Sequence, residues 1–390
     1  MKRLHALDTL RGIAALRRGH LALAALLRHQ RSMAGGWQRT AQPFYWVLKP
    51  IYDAGWIAVD LFFALSGFIF FWLYAPAIRE GAIGLGKFAW LRFSRLYPLH
   101  VVTLIVVAIL QYFFHRATSH FFIYQINDLQ HFLAGLVMAQ QWLPINTDQT
   151  FNGPAWSVSI EVLLYGIFFG LCRVGLRGGW WSLLVSVLAI PLLARSEFLS
   201  RGAMGFFLGG AIFAATNYVA ARPDAARIAR WLCAAALAGW TLVVIDAYFG
   251  PLHSAAYWIA GHISDGVGAW YIADSEVVFV LLFIYTVSPL TIIALALHER
   301  VLGGKWERFS FVGDISYSTY LLHFPMQLSL ALIAAHFALT SAFFENGLAL
   351  LIFYAVLIGL GTLSFNAFER PMQSWLRKRL PERSTARGQV

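Results

Sequence analysis

Long apolar runs, each close to the width of a bilayer, are separated along this chain by short segments rich in polar residues, glycine or proline. A spanning helix needs about 20 mostly apolar residues. That window predicts ten spans, near 10–29, 55–75, 98–114, 156–172, 179–195, 202–221, 229–248, 277–297, 313–335 and 347–366. The first is interrupted by Arg17, Arg18 and Gly19. A stretch around 131–143 is short enough to be read as interfacial or re-entrant rather than spanning. No internal repeat, low-complexity tract or soluble domain stands out. Residues 1–380 are therefore read as a single integral-membrane domain and residues 381–390, PERSTARGQV, as a disordered cytoplasmic tail. The opening MKRLHALDTLRG carries neither an h-region nor a cleavage site, so the first apolar helix is expected to act as the insertion signal.

Composition agrees with the pattern. Hydrophobic residues make up 59% and charged residues 13% of the 390, and the mean hydropathy is +0.63. A soluble domain, with about 25% charged residues, clothes its surface in a way this chain cannot. Disorder, fibre and disulfide scaffold are excluded on the same grounds. Fifteen Trp and 32 Phe suit a protein whose rings sit at bilayer interfaces. The fold class expected is all-α and polytopic, with about ten transmembrane helices.

The net charge of +11 would suggest nucleic acid in a soluble protein, but here its distribution along the chain explains it. With the N-terminus inside, 21 Lys and Arg fall in segments on that side and seven on the other. This asymmetry predicts that both termini are cytoplasmic. Cys172 and Cys233 have neither metal nor redox spacing.

Ionisable groups inside predicted spans are functional candidates, since a charge at the centre of a membrane helix costs roughly 2.5–3.5 kcal/mol on insertion scales. The candidates are Asp60 in the second span, Glu161 in the fourth, His29 in the first and His323 in the ninth. Asp60 stands near a helix start, where a carboxylate also caps or pairs with an arginine. Arg92 and Arg95, three apart, share one helix face at the end of the third span. Such a pair is either a plain topology signal or a phosphate clamp, because guanidinium forks fit phosphate oxygens. GAIGLGKF at 81–88 mimics a phosphate loop, but Phe88 stands where a Ser or Thr would hold magnesium, and no strand precedes it. Serine-hydrolase and metal motifs are missing from the sequence.

Taken together, these segments resemble acyltransferase family 3, integral-membrane enzymes that acylate cell-surface and secreted glycans. The matching strings are LDTLRGIAAL at 7–16, GWIAVDLFFALSGF at 55–68, LRFSRLYPL at 91–99, NGPAWSVSIEVLLYG at 152–166, RGAMGFFLGGAIFA at 201–214, GDISYSTYLLHFP at 313–325 and FERP at 368–371. They occur in family order over nearly the whole chain. The resemblance implies transfer of an acyl group, usually acetyl, from cytoplasmic acyl-CoA to a sugar hydroxyl of a polysaccharide or glycolipid on the other side of a bacterial inner membrane.

It also implies roles for residues. Arg92 and Arg95 match the family's Arg-x-x-Arg and would hold the CoA phosphates, and Glu161 matches its glutamate. The family's remaining mark, a basic residue and a histidine separated by ten positions, is altered. Removing RRGHLAL at 17–23 would place Arg11 at that spacing from His29, which reads as a seven-residue insertion. Seven residues are nearly two helical turns, so the face is kept while the arginine moves about 10 Å along the axis. Arg18 stands at the required distance from His29 by itself and is a second candidate for the basic role. His29 is expected to be the general base, a role an imidazole suits near neutral pH, with Glu161 as its orienting carboxylate or proton acceptor. Asp60, Arg201 and His323 are expected as pocket or scaffold residues. The expected partners are the acyl-CoA donor, a glycan acceptor and membrane lipids, with no metal and no nucleic acid. A transporter or glycan flippase is the competing class, since broken helices and intramembrane carboxylates also suit alternating access; a catalytically inactive scaffold is a third. Thioester cleavage that depends on added glycan separates the enzyme from both.

Overall fold

The computed structural model describes residues 3–17, 39–145, 148–176, 178–263, 275–337, 339 and 341–379. Among these the protein is all-helical. Eight helices are long and apolar enough to cross a membrane. Helix α1 covers residues 5–17. It is followed by α2 (Tyr45–Leu73), α3 (Leu85–Thr118), the short α4 (Leu129–Leu136), α5 (Gly153–Arg173), α6 (Gly179–Ala194), α7 (Glu197–Ala220) and α8 (Ala225–Phe249). Then come α9 (Pro251–Ile263), α10 (Glu276–Arg300), α11 (Ser316–His336) and α12 (Gly347–Arg377).

Eight of the ten predicted spans reappear as these long helices. The predicted span at 179–195 is shorter than a full crossing: its α-helix runs Gly179–Leu188 and tightens into a 3₁₀ turn, Ile190–Ala194, at Pro191. Proline cannot donate to the helical ladder, so a regular helix stops there. The predicted span 10–29 begins as α1, and its second half, with Arg18 and His29, lies outside the described residues. The 131–143 stretch holds only the eight-residue α4, about 12 Å long and too short to span. Helix α3 starts thirteen residues before the predicted 98, at Leu85. Its 34 residues extend about 51 Å, well beyond the hydrocarbon width, and its first turns pack on the bundle through Phe88 and Trp90.

Helices α2 and α7 form the centre and meet through small residues. A Cβ on Gly209 would lie 2.4 Å from the Ala64 carbonyl and the Phe68 amide, and one on Gly67 1.8 Å from the Phe206 carbonyl. Without side chains at these points the two backbones approach closely, the usual basis of helix association in a bilayer. Around them Phe70, Phe88, Tyr165, Phe168 and Phe206 interlock, with Phe70 and Tyr165 stacked at 4.3 Å. A second apolar cluster joins α3, α11 and α12 through Leu104, Val107, Leu328, Phe353 and Leu357.

Helix α1 is docked at the same end of the bundle as the start of α3. The Glu299 carboxylate at the end of α10 accepts the His5 and Ala6 backbone amides at 3.0 and 2.7 Å. A carboxylate at a helix N-terminus satisfies amides that have no partner within the helix and complements its dipole. The site takes shape against this anchored turn.

Candidate active site

A cavity of about 560 Å³ opens at the end of the bundle where α1 starts, α2 ends, α3 starts and α12 ends. Six arginines line it, Arg3, Arg11, Arg92, Arg95, Arg370 and Arg377, against three carboxylates, Asp8, Glu161 and Asp314. Four of the sequence-derived candidates, Arg11, Arg92, Arg95 and Glu161, are thus brought together around one void, from α1, α3 and α5.

The arginines divide by what they already hold. Arg3 pairs with Asp8 at 2.5 Å and with Asp314. Arg11 pairs with Asp8 at 3.2 Å and donates to the Gly313 carbonyl at 2.8 Å and the Ser316 hydroxyl at 3.1 Å. It braces α1 against the start of α11, where a Cβ on Gly313 would come 2.3 Å from the Asp8 carbonyl. Arg92 donates to the Tyr74 hydroxyl and lies over two rings, 4.5 Å from Tyr74 and 5.0 Å from Phe70. Its Nε is buried with no hydrogen-bond partner among the described residues. These ring faces attract the cation without neutralising it. Arg95, Arg370 and Arg377 make no hydrogen bond or ion pair to any described residue.

At the inner end stands Glu161, 6% exposed, accepting a hydrogen bond from the Ser66 hydroxyl. It has no cationic partner among the described residues. Tyr165, one turn further along α5, lines the cavity beside it. Glu161 also borders a crevice of about 20 Å³ that passes Ala14 and Ala15 of α1 and leads to Ser157 and Tyr320. Those two hydroxyls are 2.7 Å apart, and Tyr320 donates to the Pro154 carbonyl at 2.8 Å. The carboxylate therefore sits between a wide, cationic chamber and a small, mostly apolar crevice that Ser157 and Tyr320 also border.

The other candidates fall elsewhere. Asp60 and Arg201 form a two-point ion pair at 2.9 and 2.6 Å, and Arg201 also reaches Glu197 at 2.7 Å and stacks 4.8 Å from Trp56. Both are outside the cavity lining, joining α2 to α7. His323 is buried on α11 with its ring 5.9 Å from that of Tyr320, also outside the lining. His29 and Arg18 lie outside the described residues.

Sequence reasoning missed Ser66, Tyr165, Arg3, Arg370 and Arg377. A serine or tyrosine in a span carries no signal of its own. Arg370 and Arg377 are legible in the sequence only as part of the Lys/Arg asymmetry, although with Gln373 between them they follow helical spacing along one face.

The sequence model of a family described as an acyltransferase domain matches residues 4–366. Among curated proteins, the chain is 34% identical over 157 residues to protein 2 in the picA locus of Rhizobium radiobacter, a match covering 37% of this chain and 81% of that protein. It is 30% identical over 154 residues to the acyltransferase MdmB of Streptomyces mycarofaciens, covering 37% of this chain and 38% of that protein. No solved structure matches the chain.

Proposed function

The chain belongs to acyltransferase family 3, and from that premise we propose that it is an acyl-CoA-dependent O-acyltransferase that passes an acyl group, acetyl in the first instance, to a sugar hydroxyl of a surface or secreted polysaccharide or glycolipid. The observation that carries this reading is one cavity with unpaired guanidiniums at its mouth and a buried, uncharged-partner carboxylate at its inner end. Acyl-CoA has the matching polarity, with phosphates at one end, an uncharged pantetheine arm, and the thioester at the other end.

In this reading Arg92 and Arg95 hold CoA phosphates, which guanidinium forks grip through paired hydrogen bonds. The thioester then extends toward Glu161. The acceptor oxygen attacks the thioester carbonyl, the carbon–sulfur bond breaks, and the hydroxyl proton passes to a base as the thiolate leaves and is protonated. His29 is the proposed base, with Glu161 orienting it or taking its proton, and the crevice toward Ser157 and Tyr320 is the proposed approach of the acceptor. Arg11, held by Asp8, Gly313 and Ser316, keeps α1 seated against α11; Arg18 is the alternative basic residue for His29. The proposed side for the cavity mouth, at the Lys/Arg-rich end of the bundle, is the cytoplasmic face of a bacterial inner membrane, with both termini on that side.

The test is purified protein in nanodiscs, with acetyl-CoA cleavage followed with and without envelope polysaccharide, together with mass spectrometry of that polysaccharide from a deletion strain. Cleavage that requires the glycan, and loss of the acetyl mass in the deletion strain, are expected. Absence of acetyl-CoA binding, or cleavage indifferent to the glycan, overturns the reading.

A further inference from the structure

The last turns of α12 present Arg370, Gln373 and Arg377 to the cavity. A π turn, Phe365–Glu369, precedes them and holds one extra residue per turn, which rotates the following helical face. Two contacts fix the segment. The Glu369 carboxylate accepts from Ser318 of α11 and from Ser364 at 2.9 Å, and the Trp90 indole of α3 donates to the Leu376 carbonyl at 2.9 Å. Arg377 lies close enough to Arg92 and Arg95 for their charges to repel. Asp8 and Asp314 already pair with Arg3 and Arg11, and no ion pair holds Arg370 or Arg377 among the described residues; like charges gathered in this way favour a multiply charged anion.

The two halves of this cluster differ in depth. Arg92 and Arg95 are half-buried, whereas Arg370 and Arg377 are exposed at the rim. In acyl-CoA the order outward from the thioester is pantetheine, diphosphate, then the ribose with its 3′-phosphate. With the thioester toward Glu161, the diphosphate meets the inner pair and the 3′-phosphate meets the rim. We propose that Arg370 and Arg377, with Gln373 between them, form a 3′-phosphate subsite that makes this protein discriminate CoA from its 3′-dephosphorylated form. The proposal rests on the acyl-CoA reading above and adds a specificity determinant to it.

The experiment measures binding of CoA and of 3′-dephospho-CoA by calorimetry, at one salt concentration, to full-length protein in zwitterionic nanodiscs. Wild type is expected to prefer CoA by about tenfold or more, as charge-assisted phosphate contacts are worth. The Arg370→Ala/Arg377→Ala variant should bind both ligands alike, at the wild-type affinity for 3′-dephospho-CoA. Arg379→Ala removes a charge from the same helix end, where that side chain stacks 3.6 Å over Trp375 rather than facing the cavity, and should keep the preference. If the double Ala variant does not fold, the Gln/Gln variant takes its place. A preserved preference in the double variant, an equal loss for both ligands, or the same loss from Arg379→Ala overturns the subsite and returns these arginines to lipid-headgroup contacts or general field effects. A wild type that binds neither ligand instead removes the acyl-CoA reading itself.

Discussion

Two buried carboxylates in this protein look alike along the chain and differ in the fold. Asp60 and Glu161 are 1% and 6% exposed, each inside an apolar membrane helix. Asp60 faces a guanidinium that grips both of its oxygens, and that guanidinium is further held by Glu197 and Trp56. Glu161 has, among the described residues, the hydroxyls of Ser66 and Tyr165 and a cavity in front of it, with no cation. The same division separates the arginines: Arg201 is enclosed by carboxylates, while Arg95, Arg370 and Arg377 make no ion pair among the described residues. A charge whose counter-ion is built in fixes the packing of helices. A charge left without one, beside a void, is arranged for a group that arrives from outside.

The largest effect expected from this contrast is at Glu161. Glu161→Gln keeps shape and hydrogen bonding but cannot take part in a proton path, so acyl transfer should fall by roughly 10²–10⁴. Acyl-CoA affinity on the same sample should be retained, because the proposed phosphate contacts are made by Arg92 and Arg95 of α3 and not by Glu161. Full transfer by the Gln variant would remove Glu161 from the mechanism, and joint loss of binding and transfer would make it structural like Asp60.

Asp60→Ala should give the opposite signature. Removing one partner of a buried pair typically costs about 3–5 kcal/mol, because the other charge is stranded. Unfolding of the detergent-solubilised variant should show that loss, Arg201→Ala should match it, and Asp60→Leu/Arg201→Met should lie nearer wild type than either single change. A single variant of wild-type stability would erase the distinction between the two regions.

The unpaired arginines sharpen the comparison through sign. Arg92→Ala/Arg95→Ala should weaken acyl-CoA binding by about a hundredfold, the loss of two charge-assisted contacts. Arg92→Lys and Arg95→Lys should each weaken it less, since they keep charge but lose the fork. Arg95→Ala alone removes repulsion with Arg11 and Arg377 together with an attraction to Glu369, so thermal stability should change little. Unchanged affinity in the double variant would make both residues plain topology signals.

The smallest effect belongs to a surface cap. Asp128 accepts the His131 amide at 2.9 Å at the start of α4, with the His131 ring 2.7 Å away. The amide and the ring hold its carboxyl below the ordinary carboxylate range. Asp128→Ala should cost about 1 kcal/mol. Because the folded pKa is depressed, the cap stabilises above the ordinary carboxyl pKa and its contribution fades as pH falls through the lowered value. A stability difference between variant and wild type that does not shrink in acid would contradict that origin.

Much of the helical framework was legible because apolar run length is a local property matched to bilayer thickness. The pairing of Arg92 with Arg95 on one face was legible for the same reason: positions three apart on a helix are neighbours wherever the helix goes. The exception at 179–195 came from Pro191, whose break a hydropathy window averages away. The early start of α3 was hidden by its charged first turns, which leave the hydrocarbon without ceasing to be helical.

The sequence by itself determined that this is a polytopic helical membrane protein, that certain of its charges sit where lipid would penalise them, and that its motifs follow those of one acyltransferase family in order. Only the tertiary structure decided what each of those charges faces. Arg201 reaches Asp60 because glycines in α7 let it lie against α2, and Arg370 and Arg377 join Arg92 and Arg95 because α12 ends beside the start of α3. Helical periodicity is written in spacings of three and four residues and is readable locally. The meeting of helices far apart in the chain depends on how their surfaces fit, and it is this fit that separates the paired charges from those left facing the cavity.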